Sequence, residues 1–122
     1  MINIKKLSAS FRQATWGINK VFSEEQNFRI QLALSGVVLV LGLILHLRAY
    51  EFIILILMIL AVLILELVNT IFERLIDIVK PRLHSYVKDI KDMMAGAVFL
   101  AAIGSVVVGL IIFLPYLINL FL

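Results

Sequence analysis

Three long uncharged runs, residues 30–47, 52–65 and 93–122, divide the chain when His46 is counted as neutral. A helix needs about 20 consecutive apolar residues to cross a bilayer. With help from flanking residues, the pattern predicts three spans at 29–47, 51–72 and 93–114 within one domain covering residues 1–122. The second helix is predicted to extend to about residue 80, because its apolar periodicity runs to Val79 before Lys80-Pro81 breaks it. Residues 82–92 form a polar, mostly basic connection. The third run leaves a short apolar tail after Pro115.

Ahead of the spans the pattern changes to an amphipathic one. Ile4, Leu7, Phe11, Ala14, Ile18 and Val21 recur at helical spacing while Lys5, Lys6, Arg12 and Lys20 fall off that stripe, which predicts a surface helix over residues 1–22. Ser23-Glu24-Glu25-Gln26 reads as a new helix start, with Ser23 as N-cap and both glutamates in the first turn. Gly96, Gly104 and Gly109 with Ala97, Ala101 and Ala102 thin the third span and suit close helix packing.

The second helix carries the chain's most informative polar residues. Glu66, Asn69, Thr70, Glu73 and Asp77 are spaced i, i+3, i+4, i+7 and i+11, so they share one face of an otherwise apolar helix. A charge at bilayer depth costs roughly 2.5–3.5 kcal/mol on insertion scales, and such residues usually face a bundle interior and serve function. An exit into water would not need the amide and hydroxyl on the same stripe.

Composition agrees with a membrane chain: 63% of the 122 residues are hydrophobic and the mean hydropathy is +1.12, too apolar for a soluble domain. The chain has no cysteine, which removes disulfides, thiolate chemistry and Cys-based zinc sites. Lys5, Lys6, Arg12, Lys20 and Arg29 lie before the first span and Arg74, Lys80, Arg82, Lys88 and Lys91 around the second connection, with Arg48 alone elsewhere. Basic residues beside hydrophobic spans follow the positive-inside rule, so the predicted topology is N-in and C-out and nucleic acid is not an expected partner. His46, Trp16, Tyr50, Tyr86 and Tyr116 read as interfacial residues, and Arg48 with Glu51 as an outer-loop pair of little weight. Three thin helices cannot easily hide the stripe from lipid, which predicts a homo-oligomer.

In this topology Glu25, Glu66, Glu73, Lys91 and Asp92 converge at the cytoplasmic interface. Two carboxylates from different helices can hold Mg²⁺, a lysine can meet a polyphosphate, and a deeper carboxylate can take a proton from a hydroxyl. Those are the parts of phosphoryl transfer to an alcohol that lives in the membrane. No GxxxxGK[ST] or kinase glycine loop is present.

The run Glu66-Leu-Val-Asn69-Thr70-Ile-Phe-Glu73-Arg-Leu-Ile-Asp77, followed by His84 and Lys91-Asp92-Met-Met-Ala-Gly-Ala-Val, resembles the signature of the bacterial diacylglycerol kinase and undecaprenol kinase family of small membrane enzymes. The likeness continues in Ser10-Phe11 to Gly17, Glu25-Gln-Asn-Phe28-Arg29 and Val108-Gly-Leu-Ile-Ile-Phe-Leu-Pro115. It implies an all-α integral membrane homotrimer of three-span subunits with a surface helix, in the bacterial plasma (inner) membrane. Its active sites would be shared between neighbouring subunits on the cytoplasmic side.

By position, the resemblance makes Glu66 the catalytic base with Asn69 in support, and Glu25 and Glu73 the Mg²⁺ ligands. ATP, the co-substrate, would meet Glu25, Glu73, Asp77, the Arg82-Leu83-His84 loop, Lys91 and Asp92; the lipid alcohol would meet Glu66, Phe28 and Arg29. Ile71 and Phe72 are bulkier than the family's usual pair, a departure that touches helix packing or the acceptor pocket. Diacylglycerol and undecaprenol both stay open as acceptors, with the Lys80-Pro81 turn and the Val108 to Pro115 ending leaning to undecaprenol. The alternative from another class is an oligomeric proton or cation conductor using the same carboxylates. It would need polar residues across the whole membrane, but the outer half of the second span has none. A member without activity, serving only as a membrane scaffold, is the third reading.

Overall fold

The computed structural model describes residues 1–80 and 84–122, the side chain of His84 excepted. Four helices follow one another: α1 (Ile4–Glu24), α2 (Gln26–Ile44), α3 (Ala49–Val79) and α4 (His84–Phe121). The last three are each long and apolar enough to cross a membrane. Many of the large apolar side chains along α3 and α4 keep outward faces, among them Ile53, Leu57, Leu60, Ile64, Phe99, Leu100, Ile103 and Ile111, as a chain whose solvent is hydrocarbon requires.

The α1 to α2 junction differs from the predicted N-cap at Ser23. Helix α1 continues to Glu24, the Ser23 hydroxyl donates back to the Lys20 carbonyl at 2.8 Å, and α2 starts at Gln26. The break is the single residue Glu25, in extended conformation at φ −108° and ψ 110°. Arg29 explains why α1 can reach that far. Its guanidinium donates to the carbonyls of Phe22 and Ser23 at 2.8 and 2.9 Å, satisfying acceptors that a helix end leaves open. At the other end of α1, Asn3 caps the amides of Lys5 and Lys6.

Helix α2 stops at Ile44 in a Schellman turn. The Leu47 amide donates to the Gly42 carbonyl at 3.1 Å and the His46 amide to the Leu43 carbonyl at 3.3 Å, the bond pair of that motif. His46 takes the left-handed conformation, φ 57°, usually reserved for glycine. Gly42 has its own reason: a Cβ there would lie 2.9 Å from Leu47 Cδ1 and 3.0 Å from Phe52 Cε1. Leu47, Leu55, Ile112 and Phe113 form the buried core around this turn, with Leu41, Leu45, Phe52, Val108 and Tyr116 against it. This apolar cluster lies at the turn end, opposite the acidic stripe.

The polar connection is largely helical. Helix α4 begins at His84 and carries Lys88, Asp89, Lys91 and Asp92 on its first turns before running on into the apolar stretch. Charge alone does not stop a helix, and residues 84–92 contain neither Gly nor Pro. Pro115 also lies inside α4, which reaches Phe121, so the expected tail is helix. A Cβ on Gly96, Gly104 or Gly109 would meet nothing within 4 Å, so close packing at these glycines does not occur between the chain's own helices.

Candidate active site

Helix α3 brings the stripe to one face, and the chain itself covers its deepest member. Glu66 is only 6% exposed and Thr70 3%, so hiding Glu66 from lipid does not require a neighbouring subunit. The Thr70 hydroxyl turns back to the Glu66 carbonyl at 3.0 Å and holds the helix without competing for the carboxylate. That carboxylate is met from α2: Gln31 Nε2 donates to Glu66 Oε1 at 3.0 Å.

Two turns further along α3, Asn69 Nδ2 donates to Glu73 Oε1 at 3.4 Å. Glu73 is half-buried. Its second oxygen has no hydrogen-bond partner among the described residues. The Glu25 carboxylate, carried on the one-residue break between α1 and α2, is likewise half-buried and in no hydrogen bond or ion pair among them. The Gln31–Glu66 bond and the pairing of Glu24 with Arg74 bring the α1–α2 region and the acidic face of α3 together.

The junction is tied to α3 by charge. Arg74 pairs with Glu24 at the end of α1, and Lys20 reaches the same carboxylate at 3.1 Å. Glu24 is held below the ordinary carboxylate range, first by the Lys20 hydrogen bond and then, against a partial loss of water, by Arg74. Phe28, 4% exposed, is buried beside this junction, and Arg29 is engaged in capping α1.

On the α4 side, Lys91 Nζ lies 3.9 Å from Asp77 Oδ1. Asp92 pairs with Lys88 on its own helix at 2.8 Å, away from Lys91. Arg82 and Leu83 lie outside the described residues, as does the side chain of His84. The acidic end thus carries Glu25, Glu73 with its Oε1 accepting from Asn69, the buried Glu66, and a cationic rim on α4. Among the described residues no group of three or more His, Cys, Asp or Glu forms a metal-binding cluster. Two hard oxygen donors leave room for the phosphate oxygens and water that Mg²⁺ favours, so this donor set suits that ion.

Sequence reasoning missed Gln31 as part of this locus. Its signal was one of the few polar residues inside the first span. Glu51 was also underweighted: it is 9% exposed, accepts from the Arg48 amide at 3.0 Å and from the Tyr116 hydroxyl of α4, and so links the start of α3 to α4 at the turn end. A pocket of about 450 Å³ beside this link is lined by His46, Arg48, Tyr50, Glu51, Pro115, Tyr116 and Asn119.

A sequence profile of prokaryotic diacylglycerol kinase matches residues 12–113. The chain is 41% identical over 115 residues to a diacylglycerol kinase of Synechocystis sp., covering 93% of this chain and 66% of that protein. It is 36% identical over 114 residues to the undecaprenol kinase of Bacillus subtilis, covering 93% of each. No solved structure matches significantly.

Proposed function

Because the chain belongs to the prokaryotic diacylglycerol kinase family, and so to the ATP-dependent lipid kinases, we propose that it transfers the γ-phosphate of ATP to the hydroxyl of a membrane lipid alcohol. The observation that carries the reading is the graded acidic locus. Glu66 is buried two turns deep on α3 while Glu25 and Glu73 keep carboxylate oxygens free of partners among the described residues. Glu66 takes the proton as the alcohol O–H bond breaks, the alcohol oxygen bonds to the γ-phosphorus, and the bond to the β-phosphate oxygen breaks to release ADP. Asn69 orients the Glu73 carboxylate.

Glu25 and Glu73 are the residues that would hold Mg²⁺, which supplies charge neutralisation at the phosphates. Lys91 gives the nucleotide a cationic contact from α4, with Asp77 holding the ammonium in reserve. Asp92, Arg82, Leu83 and His84 border the same nucleotide, and Phe28 and Arg29 the lipid headgroup. This geometry belongs at the cytoplasmic face of the bacterial inner membrane, the side to which the basic residues of α1 and of the α3–α4 connection assign it. Helix α1 lies along that surface, its exposed Ile4, Leu7, Phe11 and Trp16 in the interface. The outward apolar faces and open glycines of α4 favour a homotrimer with sites completed by neighbours.

The acceptor is diacylglycerol or undecaprenol, and the two relatives' names divide between them. Phosphorylation of each lipid in bicelles with ATP, with Mg²⁺ and then with EDTA, tests the reading. Mg²⁺-dependent labelling of one lipid supports it and selects the acceptor, whereas no labelling of either, with ATP unbound, contradicts it.

A further inference from the structure

The Gln31–Glu66 contact is the one side-chain hydrogen bond between α2 and α3 among the described residues, and it is an unusual way to join two apolar helices. Burying an amide and a carboxylate costs free energy that an apolar pair would avoid. The join is also incomplete, because Gln31 Oε1 is buried with no partner. An incomplete polar contact is a weak structural clamp. It does, however, fix one oxygen of a carboxylate whose side chain otherwise turns about several bonds.

We propose that Gln31 is a positioning residue for Glu66, holding Oε1 so that Oε2 is the atom turned to the lipid hydroxyl. The inference rests on Glu66 being the base. Gln31 Nε2 restrains the carboxylate from α2, while the Thr70 hydroxyl is spent on the Glu66 carbonyl and no other side chain among the described residues donates to Glu66. Glu66 Oε2 is left without a partner, as a proton acceptor must be. The amide suits this task better than a cation would. An ammonium or guanidinium at the same spot would bind the carboxylate tightly and oppose its protonation. A glutamine donates to the carboxylate, and after a half-turn its orphaned oxygen can accept from the carboxylic acid that follows proton transfer. Ser35, whose hydroxyl bonds the Gln31 carbonyl at 2.7 Å, anchors the backbone that carries it.

The test uses the full-length protein in bicelles and compares Gln31→Leu, which keeps the bulk, with Gln31→Asn, which keeps the amide but shortens its reach. Each should lower kcat by about 10- to 100-fold, the scale of a misplaced catalytic group, while KM for ATP stays within about two-fold. Introduced into Glu66→Asp, whose shorter carboxylate no longer meets the amide, Gln31→Leu should change the residual kcat by less than about three-fold. A kcat unchanged in both single variants overturns the proposal. So does an equal fold-loss in the wild-type and Glu66→Asp backgrounds, the mark of a structural role independent of the carboxylate. If Glu66→Gln, which removes the carboxylate, keeps the wild-type rate, the base assignment fails first, an outcome distinct from loss at Glu66 with indifference at Gln31.

Discussion

Lys91 of α4 and Asp77 of α3 face each other at 3.9 Å across the acidic end, with side chains 40% and 65% exposed. An exposed ion pair at that distance contributes about 0–1 kcal/mol to stability. Its more useful property is that the lysine is held at the rim without being consumed. Lys91→Met should therefore leave the melting temperature nearly unchanged while raising KM for ATP by about 10- to 100-fold, the worth of a hydrogen bond to a charged group. Steady-state kinetics with ATP varied at saturating lipid would check this, and a variant with normal KM for ATP would remove Lys91 from the nucleotide site.

The Glu24 contacts predict a pH dependence. The carboxyl is held below its ordinary range by Lys20 and then Arg74, so the folded state binds that proton less readily than the unfolded chain. Its stabilisation is then fully present above the unfolded value and fades as pH falls through the folded one. Wild type should melt above Glu24→Gln at pH 7, and the two curves should merge in acid, below the carboxylate range. A gap that persists there would mean that Glu24 acts through something other than its charge.

At the turn end, Tyr116→Phe removes the hydroxyl donated to Glu51 and leaves that half-sealed carboxylate with only the Arg48 amide. The melting temperature should fall while kcat and both KM values hold, since the acidic locus lies at the opposite end of α3. Loss of kinase activity without loss of stability would couple the two ends of the chain.

His46 offers a gain. A non-glycine residue in the left-handed region is strained by about 1–2 kcal/mol, and nothing in the Schellman turn uses the imidazole. His46→Gly should raise the melting temperature and His46→Val lower it, with activity unaffected in the first. Equal melting of all three proteins would show that the turn relaxes in solution.

The features legible in the sequence were local ones. Runs of apolar residues mark the three helices long and apolar enough to cross a membrane, and helical spacing marks the Glu66 to Asp77 stripe, which lies on the single helix α3. The rest depended on partners far apart in the chain. Helix α1 overruns Ser23 because Arg29, six and seven residues away, caps it. Glu51 finds Tyr116 65 residues on, and Gln31 finds Glu66 35 residues on. A lone polar residue in a span has no period to betray its partner. Charge at 84–92 suggests a connection in the sequence, but it marks no boundary, and α4 carries these residues on its first turns.

The burial of Glu66 against α2 makes one assay decisive for its proposed role as the base. Wild type and Glu66→Gln in bicelles are each given radiolabelled ATP, Mg²⁺ and diacylglycerol or undecaprenol, and label in the lipid is followed alongside ATP binding. Wild type should label one lipid, and Glu66→Gln should bind ATP equally well yet transfer at least about 100-fold more slowly, the usual contribution of a general base. Transfer by Glu66→Gln at the wild-type rate would contradict the account.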